Sequence, residues 1–175
     1  MVPTITDPIE VADQGVLLRF SFEDLLRYAG PGSPAGVAVA YQAMRLAFPL
    51  LSRGQPVERR DVTIETAFRG PGARDGFELV TRGLTEDRYH VTSALECPER
   101  GVTLAQFVFR FLYRQHACTL LVRPGFVTDE FVTLARKSDR TPEDERHFTE
   151  LKQAHAERLL AQGPGDVFDL VPRDE

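Results

Sequence analysis

Two copies of one pattern, G-P-G-x-x-x-G, run from Gly30 to Gly36 and from Gly70 to Gly76, each directly before a stretch of helical periodicity. Glycine lets backbone N–H groups approach a ligand, and a helix N-terminus adds unsatisfied donors and roughly half a positive charge. Two such loops can cradle an anion, with Gly30, Gly32, Ser33 and Gly36 contributed by the first and Gly70 and Gly72 by the second. Arg69 and Arg74 flank the second loop and can give bidentate hydrogen bonds to a carboxylate or phosphate. Glu65, on the preceding strand, and Asp75 can orient them. An enzyme using the same pocket would take Glu65 or Asp75 as general acid/base, with the loops stabilising developing negative charge. The competing reading makes Gly and Pro punctuation between elements, with Asp75 pairing with Arg74 or capping the helix. The spacing matches neither a Walker A loop, which needs Lys-Ser/Thr, nor a dinucleotide G-x-G-x-x-G.

Other reactive side chains are scattered. His90, Cys97, His116, Cys118, His147 and His155 show no C-x-x-C, H-x-x-x-H or H-E-x-x-H spacing, so no metal site is expected. His116 and Cys118 share a face if they lie on a strand, where a hairpin edge and a buried thiol are the ordinary reading. Cys97 has Arg100 nearby but no assigned base. Tyr28 and Tyr41 flank the first glycine loop and can line a site or pack in the core.

The elements that must position these residues follow from local signals. Ser21 caps a short helix to about Tyr28, with Glu23 and Asp24 in its first turn. Val37, Tyr41, Met44 and Phe48 recur at helical spacing, predicting a long buried helix that ends near Pro49 and Gly54. Asp61 to Phe68 alternates as a strand, and Phe77, Leu79 and Val80 belong to a short helix ending near Gly83. Arg88–Leu95, Val102–Tyr113 and Cys118–Val122 are strand-like, the last two pairing as a hairpin around Arg114 to His116. Thr128 and Thr141 open two further helices, and Gly163-Pro164-Gly165 stops the second. Residues 1–15 read as an arm that is irregular or adds an edge strand, and 163–175 as a tail. Helices and strands do not alternate strictly, which predicts one α+β domain with a mixed or antiparallel sheet packed by helices.

Composition narrows the partners. A chain of 175 residues can bury a single core. Its net charge of -5 and pI near 5.4 argue against nucleic acid, and the mixed run Glu58-Arg59-Arg60-Asp61 reads as a solvated loop. The apolar segment Val37 to Leu51 is too short and too polar to span a bilayer. With no basic segment ahead of an apolar one at the N-terminus, Cys97 and Cys118 are expected to be reduced, cytoplasmic thiols.

The order of a short helix, a Gly/Pro loop, the helix carrying Gly36-Val37-Ala38-Val39-Ala40-Tyr41-Gln42, a strand ending near Glu65, and an Arg-Asp helix start resembles the E-type family of formylmethanofuran dehydrogenase subunits over about residues 20–125. That family has an H-G-H-x-C-P-G loop before a G-Y-R helix. Here Gly30-Pro31-Gly32-Ser33-Pro34-Ala35-Gly36 and Ala40-Tyr41-Gln42 stand in those places, and the E-x-x-x-C segment becomes Glu65 leading to Arg69. Every side-chain metal ligand is replaced. The resemblance implies a scaffold similar to the C-terminal domain of glyceraldehyde-3-phosphate dehydrogenase, assembled as a homodimer. With the metal ligands gone, the same pocket would be a backbone-lined anion site.

Overall fold

Pro34 sets the start of the central helix, because a proline at the first helical position removes an N–H that has no intrahelical partner anyway. In the computed structural model of the chain, which describes residues 7–171, helix α2 runs from Pro34 to Ser52 and is buried along most of its length. Its alanines at 35, 38, 40, 43 and 47 keep its surface low, so several elements can pack around it. Preceding it, β1 (Ile9–Asp13) and β2 (Val16–Phe20) form a hairpin, and α1 (Phe22–Ala29) starts on a Ser21–Asp24 capping box. After α2 come β3 (Val57–Glu58), β4 (Val62–Thr66), α3 (Pro71–Thr81), β5 (Tyr89–Val91), β6 (Val108–Tyr113) and β7 (His116–Val122). Helices α4 (Asp129–Arg136), α5 (Pro142–Leu160) and α6 (Pro164–Val167) and strand β8 (Phe168–Leu170) follow.

The fold is α+β, with a small sheet ordered β2-β1-β3 and a five-stranded sheet ordered β5-β4-β6-β7-β8. In the larger sheet only β4 and β5 are parallel. Strict alternation in β4 turns Val62, Ile64 and Thr66 inward. Phe77 of α3 fills the space above the sheet, its ring centroid 5.9 Å from Phe109, 5.8 Å from Phe111 and 6.0 Å from Tyr89. Burial pushes the Tyr89 hydroxyl up to about 12.

Two buried polar side chains hold distant elements together. Gln42 on α2 donates to the carbonyls of Leu159 (2.7 Å) and Gln162 (2.8 Å), closing the end of α5, and accepts from Arg45. Arg59, expected in a solvated loop, is instead buried in a short 3-10 turn, Arg59–Asp61. It donates to the carbonyls of Val80 (2.8 Å) and Leu79 (2.7 Å) at the end of α3. Free carbonyls at a helix C-terminus draw a cation, and the sequence run alone does not show that α3 ends there.

Several segments depart from expectation. In place of an arm, the described part of the first 15 residues forms β1, the middle strand of the small sheet, and the Gln14-Gly15 turn, both at positive φ. Residues 1–6 and 172–175 lie outside the described residues. The expected tail supplies α6 and the edge strand β8. The strand expected from Arg88 shortens to Tyr89–Val91, and 102–107 is irregular. Among the described residues no helix is long and apolar enough to cross a membrane.

Candidate anion-binding cleft

Helices α2 and α3 cross at their first turns because both carry small residues there. A Cβ on Gly36 would lie 3.0 Å from the Ala73 nitrogen, and one on Gly72 would lie 2.4 Å from the Ser33 carbonyl oxygen. One turn on, a Cβ on Gly76 would meet that of Ala40 at 3.0 Å. Gly36 and Ala40 on one helix face Gly72 and Gly76 on the other. The two glycine patterns are not structural equivalents: α2 begins at Pro34, inside the first copy, whereas α3 begins at Pro71, the second residue of its copy.

This contact sets two helix N-termini side by side, and neither is neutralised. Ser33 and Gly70 stand at the N-cap positions without a side-chain cap bond, and neither helix has an acidic residue in its first turn. The contrast with α1, α4 and α5 is sharp, since Ser21, Thr128 and Thr141 cap those helices ahead of acidic first turns. The leading N–H groups of α2 and α3 have no carbonyl one turn back to bond.

Both termini open into a cleft of about 400 Å³. Ser33, Gly36, Gly70 and Gly72 line it, as does Arg69, whose exposed guanidinium makes no ion pair among the described residues. Two further cations come from the C-terminal helices. Arg136 donates to the Val102 carbonyl at 3.4 Å, and Lys152 donates to the Gly32 carbonyl at 3.0 Å while its amine lies 4.3 Å from the centre of the Phe148 ring. Burial lowers the Lys152 amine from its ordinary value. Among the described residues no carboxylate lines the cleft.

The remaining candidates lie elsewhere. Gly30 terminates α1, with φ at 81° and its N–H on the Leu26 carbonyl, and Gly32 meets the site only by holding Lys152. Arg74 pairs with Asp75 at 3.0 Å, and both sit near Tyr89, away from the cleft lining. Glu65 points to the other face of the sheet, 3.1 Å from Arg110. The structure therefore does not bring Arg74, Asp75 and Glu65 together with Arg69. Strand alternation explains Glu65, and helical rotation within α3 explains Arg74 and Asp75. The Tyr41 hydroxyl donates to the Asp7 carbonyl, Tyr28 is exposed, and burial pushes the Cys97 thiol up, away from thiolate character. His116 and Cys118 share the inner strand face, opposite Tyr113 and Phe111. Among the described residues no group of three or more His, Cys, Asp or Glu side chains can hold a metal ion.

Sequence reasoning missed Phe107, ahead of β6, and the wall made by Phe131 and Arg136 on α4 and by Phe148 and Lys152 on α5. The helical spacing of Phe148 and Lys152 is readable, but not the surface they face. That wall depends on His155, which is buried. Its Nδ1–H donates to the Leu151 carbonyl (2.6 Å), its Nε2 accepts from the Thr128 N–H (3.1 Å), and its ring lies 4.5 Å from that of Phe131. Accepting at Nε2 requires neutral imidazole, and burial lowers the ring's proton affinity, against the Leu151 bond, which favours the charged form. The unfolded chain therefore takes up this proton first, so His155 supports stability above an unfolded value of about 6.5, and the support is lost as pH falls through the lower folded value. His147, raised by Glu130, acts with the opposite sign. We expect the melting temperature to drop less between about pH 7.5 and 5.5 in His155→Gln than in the parent. An equal acid slope would mean that His155 is not the group being titrated.

The chain matches no family model and no curated protein.

Proposed function

We propose that this chain is a binding or accessory protein for a small anionic metabolite or cofactor, held where α2 and α3 begin. The observation that carries this reading is the charge asymmetry of the cleft. In a chain of net charge -5, the described lining has Arg69, Arg136 and Lys152, no carboxylate, and two uncapped helix starts. Partial positive charge from the helix ends and full charge from the side chains act on the same small volume, which favours a carboxylate or phosphate. The reading includes a homodimer on a scaffold related to the E-type family of formylmethanofuran dehydrogenase subunits. Light scattering should then give twice the 19.6 kDa chain mass.

The binding test is titration at low salt with a panel of carboxylates and phosphates. Arg69→Ala should weaken the best anion about ten- to a hundredfold, the equivalent of a charge-assisted hydrogen bond of about 1.5–3 kcal/mol. Arg74→Ala, on another part of α3, should leave affinity unchanged. Unchanged affinity in Arg69→Ala would remove the cleft as the binding place.

A further inference from the structure

The cleft is larger and more apolar than a bare anion requires. Phe68 and Phe107 form one ring pair, centroids 4.6 Å apart and tilted by 34°; Phe131 and Phe148 form a second, 5.4 Å apart and tilted by 42°. All four rings line the cleft, and among the described residues no ring contact bridges the two pairs. Gly70 keeps the Phe68 ring in place, since a Cβ there would come within 2.4 Å of it. Val132 and Ala135 continue the apolar surface along α4. An inorganic phosphate or acetate would leave most of this surface in water, whereas pockets of about 300–1,000 Å³ with few polar groups hold ligands with a substantial apolar body.

We propose that the ligand is an amphipathic anion: one carboxylate or phosphate joined to a flat, apolar body of about two fused rings, lying between the Phe68/Phe107 and Phe131/Phe148 pairs. This rests on the anion-binding reading and adds the class of ligand to it. The flat body gains apolar contact with the parts of the rings that line the cleft and with Val132 and Ala135, while Arg69, Arg136 and the helix starts hold the head. Gln106 gives its amide N–H to Glu96, which leaves its carbonyl to accept from a polar substituent.

The probes are 2-naphthoate and naphthyl phosphate, each against the small anion with the same head, acetate or inorganic phosphate, and against neutral naphthalenemethanol. Ligand-detected NMR and titration should show the naphthyl anions bound at least about tenfold more tightly than either comparator, the gain expected from burying a ring system. Ala135→Trp, at an exposed helical position on the lining, should abolish the naphthyl preference without changing the circular dichroism spectrum. Small anions that bind as tightly as naphthyl anions overturn the amphipathic class and leave the anion reading standing. A neutral naphthyl compound that binds as tightly as its anion overturns the anion reading. A naphthyl preference that survives in Ala135→Trp overturns the placement in this cleft, and no binding by any probe overturns both proposals.

Discussion

Gly72→Ala should lower stability by about 3 kcal/mol in urea unfolding, far more than one methyl group ordinarily does. The new carbon would sit 2.4 Å from the Ser33 carbonyl oxygen and 3.0 Å from the Val37 nitrogen, both backbone atoms of α2 or its cap that cannot swing aside. Helix propensity works the other way, since alanine inside a helix is favoured over glycine by about 1 kcal/mol. Gly76→Ala is the internal control. Its methyl would meet the Ala40 side chain at 3.0 Å and a movable Leu25 methyl at 3.4 Å, so the propensity gain offsets most of the crowding. Equal stability of the two variants would show that the helix crossing is looser at its N-terminal end than the structure has it. A separated pair would also part the two uncapped helix starts, so Gly72→Ala should lose anion affinity along with stability.

Arg59→Ala is the second large loss, about 3 kcal/mol, because two helix-end carbonyls are stripped of a donor where water has little access. Desolvation already works against the guanidinium, lowering its proton affinity, and the neighbouring Asp13 carboxylate only partly restores it. Arg59 also lies over the Phe20 ring at 5.6 Å, so truncation removes contact between the small sheet and α3. Arg59→Lys should recover less than half of the loss, since one ammonium group cannot reproduce the fork that meets Val80 and Leu79. A lysine variant as stable as the parent would mean that charge near Asp13, rather than the paired carbonyl bonds, is what Arg59 supplies.

Legibility of the fold followed how local each cause was. Ser21, Thr128 and Thr141 announce their helices because cap and first turn lie within four residues. The buried run of α2 and the hairpin of β6 and β7 are equally readable. Strand β8 is hidden because Phe168–Leu170 is too short to show alternation and is recruited by β7, far away in sequence. Of the cleft, Ser33, Gly36, Arg69, Gly70 and Gly72 can be named in advance, since glycine and proline mark helix starts. Glu65 and Arg74 are misplaced by the sequence because proximity along the chain does not say which face of a strand or helix a side chain takes. The four rings and Lys152 come from separate elements and joints, and only the assembled fold brings them together.

Strand β2 has consequences for handling the protein in solution. Among the described residues it is an edge of the small sheet, paired on one side by β1 and open on the other, and its first two residues, Val16 and Leu17, are exposed. Arg19 is the single charge among its five residues, and Glu10 across the ladder already binds it at 2.7 Å. An open row of main-chain donors and acceptors beside apolar side chains is a template for adding another strand. Turbidity that rises with protein concentration should therefore respond to Leu17→Lys, a gatekeeping charge on a solvent-facing position, before it responds to any change in the core.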